Sequence, residues 1–332
     1  MKKILLIATG GTIAASLTDE GLTPSISTDE LIRFVPEILS ICDLDAIQPL
    51  NIDSTNIQPE DWCELAILIK KNYDLYDGFV ITHGTDTMAY TSAMLSYLIQ
   101  KSTKPIVITG SQKPINLDIT DGKINLRDAV QYACNGNPGV YIVFNGSVIL
   151  GTRARKTKTK SYDAFESINF PKAALISGNH ITNFYRCAPK ADNTEFFTDI
   201  FPNVFLLKLS PGMEPDVLDY ISDKYEAVVI ESYGTGGIPF ADKRNFLKKL
   251  KLATEKGKFI VIATQVMLEG SDLGAYAVGS RALQYNVLQD YDMTIESAIT
   301  KLMWILAFTK DYEQVKKLFY TPVHEDILYV PD

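Results

Sequence analysis

The apolar run Ile4-Leu5-Leu6-Ile7-Ala8 ends abruptly in Thr9-Gly10-Gly11-Thr12, and Phe79-Val80-Ile81-Thr82 ends in His83-Gly84-Thr85-Asp86-Thr87. Short apolar runs of this kind, bounded by glycine turns, mark strands buried on both faces, and each turn here opens toward a helical pattern. In open α/β sheets, ligand sites gather beyond the carboxyl ends of the strands. The two turns are therefore expected to bring Thr12, Thr85 and Asp86 around one pocket suited to a small polar molecule.

The same pattern recurs along the chain. Strands are expected over 4–8, 79–82, 106–109, 140–144, 205–209, 227–230 and 259–263, alternating with helices, which predicts a mostly parallel sheet in each half. Ser27 and Glu30 have capping-box spacing ahead of Leu31, Ile32 and Phe34, and Pro59 starts a helix with Trp62, Leu65, Ala66 and Ile69 on one face. Residues 88–99 form another helix, and 215–225, 242–256, 294–308 and 311–319 follow in the second half. Periodicity fails between Asn183 and Asn203, around Pro189 and Pro202. The expected organisation is a larger N-terminal catalytic α/β domain over 1–185, a linker over 186–203 and a smaller C-terminal α/β domain over 204–332.

Composition narrows the function. With 46% hydrophobic and 22% charged residues among 332, the chain has ample core for two domains. A net charge of -8 argues against nucleic-acid partners, because phosphate binding rests on clustered Lys and Arg. The first apolar run breaks at Thr9, too early for a secretory core, and no stretch is long enough to span a membrane, so a cytoplasmic protein is expected. Cys42, Cys63, Cys134 and Cys187 are scattered without a C-x-x-C pair, and His180 and His324 stand alone, so neither a metal nor another cofactor is expected.

Chemistry centres on the turns. A Thr12 hydroxyl beside exposed turn amides can attack a carbonyl while the amides hold the oxyanion; equally, Thr12 can be a capping residue in a strand-to-helix turn. Both readings stay open on this segment alone. Neither the Walker spacing nor the dinucleotide-binding glycine spacing is present, which weighs against nucleotide chemistry. Asp86 suits the acidic first turn of the following helix, and also suits a substrate ammonium; Thr85 can hold a water or serve as a second hydroxyl. His83 fits a hydrogen-bonded structural role better than a ligand role. The basic run Arg153-Ala154-Arg155-Lys156-Thr157-Lys158-Thr159-Lys160 fits a solvated loop, but one of its lysines folded beside Thr85 would supply an activating amine, its pKa lowered by burial. Spacing does not choose which.

At these residues the chain resembles the bacterial-type L-asparaginases, the threonine amidohydrolases, and their cytoplasmic type I branch in particular. The resemblance is carried by residues 8–14 and 77–88 and extends through Asp53-Ser54-Thr55, Thr109-Gly110-Ser111-Gln112, 121–126, Lys156 with Asp163-Ala164-Phe165, and Ser232-Tyr233-Gly234. It implies hydrolysis of L-asparagine to L-aspartate and ammonia through an acyl-enzyme on Thr12. It further implies that Thr85 and Lys156 form a hydroxyl–amine pair, that Asp86 takes the substrate α-ammonium, and that Ser54 and Thr55 take its α-carboxylate. A homodimer, or a tetramer built as a dimer of dimers, is implied as well.

Two positions depart from that pattern. Leu22 stands where relatives often carry a loop tyrosine, and no tyrosine occurs between residues 12 and 28. In Gly234-Thr235-Gly236-Gly237 the asparagine that many carry near Gly237 is missing. A phenol acting on Thr12 would have to come from elsewhere, and asparagine-over-glutamine selectivity is left open. The alternative readings are a glutaminase-asparaginase and a non-catalytic amino-acid sensor. The related archaeal protein that releases ammonia for glutamyl-tRNA transamidation carries an extra N-terminal domain, whereas here the catalytic strand starts at residue 4. Residues 16–26 are expected to form a turn-prone lid.

Overall fold

A computed structural model describes residues 1–19, 21–185 and 193–329. It divides into two compact units, Met1–Thr198 and Asp199–Asp332, each built on its own sheet. The two-domain α/β class expected from the alternation is the one adopted.

The first unit carries an eight-stranded sheet. Its parallel part runs Gly139–Phe144, Pro105–Thr109, Gly78–Thr82, Lys3–Ala8 and Asp43–Ile47 in spatial order. The four inner strands are buried at nearly every position, which is why their sequences are unbroken apolar runs. Asp43–Ile47 is the edge, and its alternating Asp43 and Asp45 concealed it from the apolar pattern. On the other side Ser147–Leu150, Ala174–Ser177 and His180–Asn183 add antiparallel strands, so the sheet is mixed.

Helices cover it as expected over Thr28–Phe34, Pro59–Asn72 and Met88–Leu98. Ser27 and Glu30 close the capping box, and Trp62, Leu65, Ala66 and Ile69 form the buried face of the second. Met88–Leu98 is buried at every position but Tyr90. A further helix, Gly122–Asn135, packs Leu126, Ala129, Val130 and Ala133 into the core. Residues 16–26, expected as a turn-prone lid, fall largely in an antiparallel ribbon of Ala15–Thr18 and Gly21–Pro24. Its base is fixed by Ser25 and Ile26 amides that both donate to the Ala14 carbonyl, at 2.8 and 2.9 Å. Glu20 lies outside the described residues.

Of the segment expected as a linker, residues 186–192, with Cys187 and Pro189, lie outside the described residues. Glu195–Phe196 pairs antiparallel with Ile99–Gln100 inside the first unit. The second unit has a four-stranded parallel sheet, Val204–Lys208, Ala227–Ser232, Phe259–Thr264 and Leu288–Gln289. Helices Asp216–Lys224 and Phe246–Glu255 pack Leu218, Ile221, Leu247 and Leu250 against Val228, Ile230, Ile260 and Ile262. Ile295–Ile305 and Tyr312–Tyr320 complete it. No helix among the described residues is long and apolar enough to cross a membrane.

Candidate active site

Three turns meet at the carboxyl ends of the Lys3–Ala8 and Gly78–Thr82 strands. The Thr9 amide donates to the Thr82 carbonyl at 3.0 Å, Ile52 donates to Thr9 at 3.0 Å, and Gly11 donates to Ile52 at 2.9 Å. Gly10 and Gly11 hold φ values of +101° and +75°, which residues with a Cβ rarely adopt. Space makes the same demand: a Cβ on Gly11 would lie 2.3 Å from the Gly84 nitrogen, and one on Gly84 would lie 2.5 Å from Ser54 Oγ. The glycines thus let turns 9–12, 52–55 and 83–87 pack backbone against backbone, which gathers Thr12, Ser54, Thr85 and Asp86 in one place.

Thr12 opens a single 3₁₀ turn, Thr12–Ala14, after Gly11, and is half-buried. Among the described residues none is hydrogen-bonded to its hydroxyl. It therefore does not act as a cap. Ser54 is buried, and its carbonyl accepts from Thr87 Oγ1 at 2.7 Å. Thr55 is exposed and turned back: its amide and its hydroxyl both donate to Asp53 Oδ1, at 2.8 and 2.7 Å. Ser54 is brought to the cluster, while the Thr55 hydroxyl is engaged elsewhere.

Lys156 ends the short strand Ala154–Lys156, which pairs antiparallel with Phe165–Ser167 in a register that sets Lys156 opposite Phe165. Its Nζ donates to Thr85 Oγ1 and to Asp86 Oδ1, each at 2.7 Å. Asp86 precedes the N-cap Thr87 and so stays outside the Met88–Leu98 helix, whose first turn contains no acid. The basic run is not simply a solvated loop: Arg153 is wholly buried with its guanidinium over the Phe170 ring, Lys158 pairs with Asp163, and Lys160 is exposed. The amine expected beside Thr85 is that of Lys156, and it also faces the Asp86 carboxylate.

Gln112, assigned no role from sequence, and His83, expected in a hydrogen-bonded structural role, support the cluster. Gln112 accepts from Thr85 Oγ1 at 3.4 Å and donates through Nε2 to the Ser161 carbonyl at 3.1 Å, tying the Lys156 segment to the turn. Its own backbone is anchored on Asp121, which burial pushes above the ordinary carboxylate range. Gln112 follows the carboxyl end of the Pro105–Thr109 strand, the same position rule that picked out the other turns. His83 is wholly buried, with Nδ1 2.6 Å from the Gly84 carbonyl and Nε2 2.9 Å from Thr91 Oγ1. Burial drops its pKa to about 4, so the ring is neutral near pH 7.

In the second unit, the turn after Ser232 closes on itself through the Tyr233 amide and the Gly237 carbonyl at 3.0 Å. Among the described residues no group of three or more His, Cys, Asp or Glu is placed to hold a metal ion. The cluster of the first unit offers an unengaged hydroxyl, a second hydroxyl held by an amine, and a carboxylate with a free oxygen, a set suited to acyl transfer from a small cationic molecule.

Residues 3–188 match the family described as Asparaginase, N-terminal, and residues 203–319 match the Glutaminase/Asparaginase C-terminal domain. The L-asparaginase of Thermococcus kodakarensis is 40% identical over 95% of this chain and 96% of its own. Its solved structure superposes with a TM-score of 0.93, covering 98% of this chain and 99% of that one at 37% identity. L-asparaginase 1 of Escherichia coli strain K12 is 34% identical over 95% of each chain. The crystal structure of L-asparaginase I from Vibrio cholerae superposes with a TM-score of 0.88, covering 99% of each chain at 29% identity.

Proposed function

The chain belongs to the asparaginase family, and from that premise we propose that it is an L-asparaginase, an amidohydrolase that turns L-asparagine into L-aspartate and ammonia. One observation carries the reading: the unengaged Thr12 hydroxyl follows the turn that packs against Gly84, and next to Gly84 stand Thr85, Lys156 and Asp86, joined by two 2.7 Å bonds.

Thr12 Oγ attacks the side-chain carboxamide carbon, its proton leaves toward the leaving nitrogen, and ammonia departs from the tetrahedral adduct. The β-aspartyl ester left on Thr12 is opened by water, which Thr85 orients with Lys156 behind it. Asp86 receives the substrate α-ammonium on the oxygen that Lys156 does not hold, and Ser54, packed against Gly84, receives its α-carboxylate. Thr55 shares that role only if its hydroxyl leaves Asp53. The steps call for no cofactor.

The competing reading within the family is a glutaminase-asparaginase. A substrate one methylene longer is rejected by only about 1–3 kcal/mol in a shape-fitted pocket, so shape alone separates the two amides weakly. Ammonia release from L-asparagine and L-glutamine, side by side across concentrations with Thr12→Ala as control, tests both readings. Release no greater than in the control would leave a non-catalytic sensor; equal release from the two amides would make it a glutaminase-asparaginase.

The protein acts, on this reading, as a homodimer or a dimer of dimers in the cytoplasm. Consecutive exposed Val266, Met267 and Leu268 give a second copy an apolar surface to cover. Light scattering on the eluting protein measures the assembly.

A further inference from the structure

The hydrogen bonds around His83 form a chain with a single direction. Trp62 Nε1 can only donate, and it meets Thr91 Oγ1 at 2.9 Å. At the far side of the ring the Gly84 carbonyl can only accept, so in the neutral imidazole the proton sits on Nδ1 and Nε2 accepts from the Thr91 hydroxyl at 2.9 Å. Nδ1 donates its proton to the Gly84 carbonyl at 2.6 Å. Trp62 and Thr91 belong to the Pro59–Asn72 and Met88–Leu98 helices, so two rigid elements reach the turn through one imidazole. Trp62 is 6% exposed and Thr91 and His83 are wholly buried, so water does not compete for these bonds.

We propose that His83 is a positioning residue: as the neutral Nδ1–H tautomer, relayed from Trp62 and Thr91, it fixes the Gly84–Thr85 peptide and thereby the placement of Thr85 and Asp86. This rests on the asparaginase reading of those two residues. In a trans peptide the carbonyl and the following N–H point opposite ways, so holding the Gly84 oxygen on the imidazole turns the Thr85 N–H to the other face of that peptide. The packing of Gly84 against Gly11 and Ser54 passes any tilt of this peptide on to the Thr12 and Ser54 turns. Burial keeps the ring uncharged, the bond to Gly84 and the charges of Asp53 and Asp61 opposing that effect without overcoming it.

The test is a pair of variants with one spectroscopic readout. His83→Asn places an amide nitrogen near the Nδ1 position and keeps the donor to Gly84; His83→Gln places its amide near Nε2 and keeps only the contact with Thr91. Misplacing catalytic groups by an ångström costs about 10²-fold, so kcat/KM per folded enzyme should fall by that order in His83→Gln and far less in His83→Asn. Both variants lose half of the buried chain, so a merely structural role lowers their melting temperatures alike and leaves the kinetics of the folded fraction alike. With 3 histidines in the chain, ¹⁵N spectra resolve the ring: a neutral Nδ1–H signal persisting at pH 5.5 is expected. Equal kinetics of the two variants, an Nε2–H tautomer or an imidazolium at that pH would overturn the assignment. A wild-type protein that releases no ammonia would instead overturn the asparaginase reading, and this role with it.

Discussion

Lys156 Nζ lies 2.7 Å from Asp86 Oδ1, and the same nitrogen lies 2.7 Å from Thr85 Oγ1. The lysine is 16% exposed and the aspartate 57%, so the carboxylate reaches outward while the amine is held under it. One side chain thus joins the group assigned to substrate recognition to the group assigned to water activation. A substrate ammonium arriving at Asp86 enters a charge pair already formed, and changes at Asp86 are felt at Thr85.

Asp86→Asn should therefore raise KM for L-asparagine and also lower kcat. Removing one partner of a desolvated charge pair costs about 2–5 kcal/mol, and the exposure of Asp86 places the expected loss at the low end. A substrate analogue without the α-amino group separates the two effects. Binding of the analogue should be nearly unchanged; if both compounds lose equally, Asp86 is not the ammonium site.

Thr12→Ala should abolish turnover and spare the fold. The side chain is half-buried and no described residue is hydrogen-bonded to its hydroxyl, so deletion leaves no orphaned partner. Thr12→Ser keeps the nucleophile but frees the rotamer that the methyl restricts, and should be slower than wild type without being dead. Steady-state ammonia release and thermal melts on the same samples check both; near-native turnover in Thr12→Ala would remove it as nucleophile.

The turns were legible because strands buried on both faces are unbroken in apolar residues and stop where glycine allows a tight bend. Asp43–Ile47 was not legible, since an edge strand with one wet face carries Asp43 and Asp45. Asn145-Gly146, with φ of +48° and +70°, is the tight turn between Gly139–Phe144 and Ser147–Leu150, and this dipeptide was the unused signal for the antiparallel half of the sheet. Among the lysines, Lys156 and Lys158 fall on one face of an extended chain, so period alone leaves them equivalent. Pairing of Lys156 with Phe165 separates them, and a partner 9 residues along the chain is a tertiary fact. The His83 relay was hidden for the same reason: Trp62 looks like an ordinary core residue until its indole N–H is followed to Thr91.

His83 also sets a sign for acid stability. Its folded pKa of about 4 lies below the ordinary 6.5, so between those values the unfolded chain binds a proton that the folded chain does not. Stability is untouched above pH 6.5 and falls as pH drops toward 4, by about 3 kcal/mol from this residue. His83→Asn does not titrate there. Denaturant unfolding at pH 7 and at pH 4.5 should show the variant's deficit against wild type shrinking at the lower pH; an unchanged deficit would mean the ring is not held neutral.

In the second unit, Lys301 and Asp326 form an ion pair of 2.6 Å with both side chains wholly buried. Lys301 Nζ also donates to the Thr321 carbonyl, and Asp326 accepts from the Val323 amide, so the pair fastens chain 321–326 to the Ile295–Ile305 helix. Lys301→Met strands a buried carboxylate and should cost about 3–5 kcal/mol in chemical unfolding. Lys301→Met with Asp326→Leu should recover most of the loss, because no buried charge then remains; a double variant as unstable as the single one would show that the pair itself contributes net stability.

Leu22 stands in the ribbon that follows Thr12. It pairs across the ribbon with Leu17, and both are exposed, at 51% and 82%, so neither packs in the core of the free molecule. An exposed apolar pair at this place suits closure over a bound substrate, where it excludes water without donating a proton. On that account Leu22→Ala should raise KM modestly through lost apolar contact, and Leu22→Tyr should leave the maximal rate near that of wild type. A positioned acid–base group is worth about 10²–10⁴-fold, so a gain of that order in Leu22→Tyr would reveal that a phenol is wanted here and is missing. An unchanged rate leaves activation of Thr12 to groups already in the site, with Thr85 and Lys156 the pair nearest to hand. Stopped-flow measurement of the first turnover for wild type, Leu22→Ala and Leu22→Tyr separates faster acylation from faster lid opening, since only the former changes the burst rate of ammonia.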